Sequence, residues 1–92
     1  MSARCGYRAA RITTGQVTVA LSHYLPGGGA ALSRIAVETI YIVLAGEIVM
    51  SSAGDSATLG VYDTVRLPAR SERAVENVSN LPATILVITP AL

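Results

Sequence analysis

The sequence predicts an all-β protein of about eight short antiparallel strands, arranged as a sandwich or a closed barrel. Three observations predict it. Short apolar runs are separated by Gly, Pro, Asn and Asp turns. No segment sustains a helical period. The chain is 51% hydrophobic but has no Phe or Trp, so its core must come from Val, Ile, Leu and Ala, which suit closely packed β layers.

The elements follow in order. The 92 residues make one domain at most. Residues 1–14 read as an N-terminal arm with Arg4, Arg8 and Arg11, and residues 15–92 as the domain. The arm is either disordered or an exchanged strand. In residues 17–24, Val17, Val19, Leu21 and His23 alternate with Thr18, Ala20, Ser22 and Tyr24, a strand with one oily face. Pro26-Gly27-Gly28-Gly29 is expected to break it. Residues 31–37 read as a weak strand and 39–44 as a strong one. Gly46 marks a turn or bulge, and the chain continues as a strand over 47–51. Ser52-Ala53-Gly54-Asp55 signals a hairpin into a short strand at 56–59. After a turn at 60–63, a strand at 64–67 ends at Pro68. Strands at 73–78 and 83–89 flank the Asn80-Leu81-Pro82 turn, and Pro90 closes the last. Closing these strands into a barrel removes the exposed edges that so apolar a chain must avoid.

Charge and composition exclude several functions. The net charge is +1, no footprint for nucleic acid or an anionic membrane. All seven basic residues are Arg, which excludes Schiff-base chemistry and a P-loop lysine. Cys5 is the single cysteine, so no intrachain disulfide forms. It reads as incidental, because a nucleophile needs a base and a shaped pocket. The first residues lack the apolar stretch of a secretory signal. The most apolar run, residues 40–50, is interrupted by Gly46 and Glu47 and is too short to span a bilayer. A cytoplasmic location is expected. Small size and high apolar content favour a homodimer.

The middle of the chain resembles the cupin family. That family's first motif runs from a glycine through two histidines and a glutamate to a second glycine. Gly27 opens this spacing and Gly46 closes it, around Glu-Thr-Ile-Tyr-Ile-Val-Leu-Ala-Gly. The second motif runs from a glycine through Pro, Gly and His to Asn. Pro68 and Asn77 keep their separation, preceded by Gly60 and Asp63. The resemblance covers residues 17–88 and implies a jelly-roll β-barrel. It departs at the metal ligands. The family's histidines fall on Ser33, Ile35 and Arg73, its glutamate on Thr39, and its second-motif glycine on Arg70. Hydroxyls, an alkyl chain and a guanidinium do not hold a first-row divalent ion. No metal and no other cofactor is expected.

In the cupin frame Arg73 projects into the barrel, where a guanidinium binds carboxylate or phosphate. Ser33 and Thr39 would add hydrogen bonds, and Ile35 and Tyr41 an apolar wall. The competing reading pairs Arg73 internally with Glu38, Glu72 or Glu76. Arg70 reads as a solvated loop residue and Arg66 as a surface or interface residue. His23 reads as a packed or interface histidine; as a general base it would need an orienting partner. Asn77 reads as a structural hydrogen-bonder. Three functions follow. The leading one is a metal-free module binding a small anionic metabolite. The second is a cofactor-free isomerase, epimerase or cyclase, with His23 and Tyr41 as catalytic candidates. The third is a structural dimer with a filled barrel.

Overall fold

The structure, a computed structural model, describes residues 3–13 and 15–90, with the backbone alone for 3–13. Eight strands run in order: β1 (Ala3–Thr13), β2 (Val17–Arg34), β3 (Thr39–Ala45), β4 (Ile48–Ser52), β5 (Asp55–Leu59), β6 (Thr64–Leu67), β7 (Glu72–Glu76) and β8 (Ala83–Pro90). All are antiparallel to their neighbours. Their order is β5-β4-β7-β2-β8-β3-β6, with β1 also paired to β2. The sheet folds on itself into a nearly closed barrel, with β5 and β6 at its two ends. No helix among the described residues is long and apolar enough to cross a membrane.

Strand β2 makes this closure possible. Its first half pairs with β8 and its second half with β7. The sequence places a break at Pro26–Gly29, but the strand runs through it. The glycines bend the strand instead of ending it. Gly27 takes φ +82°, which Gly adopts without steric cost. Gly29 packs so tightly on β7 that a Cβ there would lie 2.1 Å from the Val75 carbonyl oxygen. The weak strand expected at 31–37 is the second half of β2, ending at Arg34.

Asn77 holds this bend. It is completely buried. Its backbone exchanges hydrogen bonds with the bend: Gly27 N donates to Asn77 O at 2.8 Å, and Asn77 N to Gly28 O at 2.9 Å. Its Nδ2 donates to the carbonyls of Tyr24, at 3.0 Å, and Leu81, at 2.8 Å. Its Oδ1 accepts from Ser79 N at 3.0 Å and Ser79 Oγ at 2.7 Å. The amide thus ties the bend of β2 to the turn between β7 and β8.

Both halves of the folded sheet contribute to one core. Tyr41, Val43 and Ile85 meet Ile48, Met50, Leu59 and Val75. The register fixes what faces in. Ala20 pairs with Val87, and Val87 with Tyr41, so this row lines the barrel. The oily face of residues 17–24 therefore points outward. Val19, Ile88 and Ile40 form one outer row, and Leu21, Leu86 and Ile42 the next.

The β4–β5 hairpin turns through Ala53 and Gly54, at φ 51° and 84°. Positive φ at both central residues is the type I′ pattern, which matches strand twist and favours Asn-Gly. Ala53 is exposed and strained there. Two substitutions should act in opposite directions in urea unfolding. Ala53→Asn should stabilise by about 0.5–1 kcal/mol. Gly29→Ala should destabilise by about 2 kcal/mol or more, because backbone must move. A neutral Gly29→Ala would contradict the tight β2–β7 contact.

Candidate binding site in the barrel

Strand β7 places Arg73 on the same face as Val75, which is 2% exposed and part of the core. Opposite it on β2 stands Ser33. Arg73 Nη2 donates to Ser33 Oγ at 3.1 Å. Arg73 Nε is buried with no hydrogen-bond partner among the described residues.

The three acids that could neutralise Arg73 are engaged elsewhere or face away. Glu38 pairs with Arg66. Glu72 pairs with Arg34 at 3.5 Å. Glu76 is exposed and lies next to the inward-facing Val75, so it points to the opposite side of β7. Arg73 makes no ion pair with any of the three.

Thr39 and Tyr41, on β3, are 4% and 6% exposed. Thr39 Oγ1 donates to Val37 O at 3.0 Å. The Tyr41 hydroxyl has the Arg73 guanidinium and the Thr39 side chain as hydrogen-bonding neighbours. Burial pushes the Tyr41 phenol above its ordinary value, while Arg73 draws it partly back. The phenol is therefore protonated at physiological pH, its oxygen accepting from the guanidinium. Ile35 packs against the core from the loop after β2. That loop is fixed by two backbone bonds of 2.9 Å, Ile35 N to Ser71 O and Arg70 N to Ile35 O. Arg70 itself has φ 70°, the conformation its family glycine would take freely.

The structure thus brings Arg73, Ser33, Thr39 and Tyr41 together in the barrel, with Ile35 beside them. It does not bring His23 to them. His23 pairs with Thr84 across the outer face, its Nδ1 2.9 Å from Thr84 Oγ1. His23 and Tyr41 lie on opposite faces of one sheet and do not form an acid/base pair. The side chain of Cys5 lies outside the described residues. Two residues join the site that sequence reasoning missed. Ser51 pairs with Ala74, so Ser52 is the next residue along, beside Arg73, and Asp55 pairs with Ser52. The hairpin register was legible in the sequence, but the neighbour of β4 was not.

The donor set does not fit the divalent metal that the cupin fold implies. Ser33, Thr39, Ile35 and Arg73 offer two hydroxyls, an alkyl chain and a fixed cation. Among the described residues, no three His, Cys, Asp or Glu side chains converge.

No family model matches the chain. It is 39% identical over 69 residues to a beta-D-galactosidase of Mycobacterium tuberculosis, across 75% of this chain and 60% of that protein. The chain thus spans less than two thirds of that relative's length. A cupin superfamily protein from Desulfitobacterium hafniense superposes with TM-score 0.82 at 21% identity, covering 95% of this chain and 78% of the other. A cupin-superfamily sugar phosphate isomerase from Silicibacter pomeroyi gives TM-score 0.85 at 20% identity, covering 96% and 60%. The chain has the cupin fold, a jelly-roll β-barrel.

Tyr41 generates a pH prediction. A phenol held above its unfolded value of about 10 keeps its proton in the folded state. Its contribution is fully present below that value and lost as pH rises above it. Wild type should therefore lose stability between pH 9 and pH 11 more steeply than Tyr41→Phe, measured by urea unfolding. Equal slopes would mean that Tyr41 titrates alike folded and unfolded.

Proposed function

We propose that this chain is a metal-independent binding module that captures a small carboxylated metabolite in its barrel, non-catalytic or accessory to a metabolic pathway. One observation carries this reading: Arg73 faces the barrel with a buried Nε that has no hydrogen-bond partner among the described residues, and it forms no ion pair with Glu38, Glu72 or Glu76. Arg73 is half-buried, and a partly desolvated guanidinium gains from an anion beside it. A carboxylate delivered by a ligand supplies that anion and uses the guanidinium fork bidentately. Ser33, Thr39 and the Tyr41 hydroxyl add neutral polar contacts, and Ile35 closes the site. The test is calorimetric titration of small carboxylates and phosphates into wild type and Arg73→Ala. Loss of the guanidinium should weaken every bound acid by at least about thirtyfold. Unchanged affinity in Arg73→Ala would sink the reading.

The similarity to proteins named as a galactosidase and a sugar phosphate isomerase favours a second reading, a cofactor-free enzyme. Tyr41 would then be the proton-bearing group. Glycoside hydrolysis in its usual form needs two carboxylates about 5–10 Å apart. Asp55 lies in the row of Arg73 and Ser52, and no second acid shares that row. Turnover of a sugar substrate that Tyr41→Phe abolishes, with binding intact, would establish the enzyme.

The outer rows of Val19, Ile88 and Ile40 and of Leu21, Leu86 and Ile42 support self-association. Aliphatic side chains on the outer face of a small barrel gain by meeting a second copy. Sedimentation should give twice the 9.5 kDa chain mass, and Ile88→Glu should give the single chain. A monomeric wild type would refute it.

A further inference from the structure

The barrel is open between β5 and β6, the two ends of the strand path. A cavity of about 170 Å³ occupies this seam. Met50, Leu59, Val65 and Leu67 wall it, and Ser52 and Asp55 stand at its lip. Its walls adjoin the candidate site on both sides. On β6, Val65 pairs with Tyr41 and Leu67 with Thr39. On β4, Ser52 lies beside Arg73. The slot thus lies alongside the candidate site, one strand from Arg73 on one side and from Tyr41 on the other.

We propose that the barrel's ligand is a monocarboxylate carrying a ring-sized apolar group, its carboxylate on Arg73 and that group in the β5–β6 slot. The inference rests on the carboxylate reading and adds to it the character of the rest of the ligand. Size points to a ring, since an apolar cavity of about 150 Å³ accepts benzene. Spacing points to a short linker. Neighbouring strands lie about 4.8 Å apart, so the slot begins one strand from Arg73. Charge points to a single carboxylate. A second one would enter apolar walls and approach Asp55, which no basic residue pairs among the described ion pairs.

The probes are acetate, 3-phenylpropanoate and adipate, titrated into wild type, Arg73→Ala and Ala57→Trp. Ala57 lines the slot from the exposed edge strand, so a larger side chain there fills the slot without entering the core. Wild type should bind 3-phenylpropanoate at least tenfold tighter than acetate and adipate. Ala57→Trp should abolish that advantage and leave acetate unchanged. A second readout does not need the variant. Met50 is one of two methionines, and its methyl resonance should shift with 3-phenylpropanoate but not with acetate. If acids bind through Arg73 with no preference for the ring and no Met50 shift, the slot proposal is overturned and the anion site stands. If no acid binds wild type, both fall.

Discussion

The amide of Asn77 holds together the parts on which the barrel depends. A single strand, β2, serves both halves of the folded sheet, and it can do so only if its bend is fixed. Asn77 meets that bend with its backbone and, through its side chain, reaches the turn between β7 and β8. Its side-chain oxygen and nitrogen each make two hydrogen bonds, so it is buried without an unsatisfied polar atom. Glycine supplies the other half of the constraint. At Gly29 the backbones of β2 and β7 approach more closely than any side chain allows. A barrel of this size has room for few such contacts, and each one sets the register of several strands.

The site follows from that register. Bending β2 brings Ser33 opposite Arg73, and folding the sheet brings β3 across the barrel, so the Tyr41 hydroxyl meets the same guanidinium, with Thr39 beside it. The charge is held next to hydroxyls and aliphatic groups, with Asp55 two strands away in the same row. The proposed anion site rests on this placement of a guanidinium among hydroxyls and aliphatic groups. Acids lie nearby in sequence, yet strand alternation turns Glu76 outward, while Glu38 and Glu72 pair with arginines on exposed surface. Arg73 therefore forms no ion pair with any of these three acids.

Much of the fold was legible in the sequence because the signals were local. The strand at Thr64–Leu67 ends where Pro68 requires, and the β4–β5 hairpin turns at Ala53-Gly54. The failures have a common cause. The Pro26–Gly29 run reads as a break because Gly and Pro usually end strands, but tight packing on β7 carries the strand through it. The oily face of residues 17–24 marks a buried surface in most strands; here it lies on the outside of the barrel. Alternation reports that two faces differ, not which one meets the core.

The sequence by itself determined the all-β class, most strand limits and, through the cupin resemblance, the inward placement of Arg73. The class and the strand limits follow from residue type, period and spacing, which need no knowledge of distant neighbours; the placement of Arg73 is what the resemblance implied. Only the tertiary structure decided that β2 is one bent strand, that His23 and Tyr41 lie on opposite faces, that Arg73 forms no ion pair with Glu38, Glu72 or Glu76, and that Ser52 and Asp55 extend its row. Each of these depends on which strand lies beside which. Pairing partners are chosen by closure of the whole barrel, and no local pattern contains that choice.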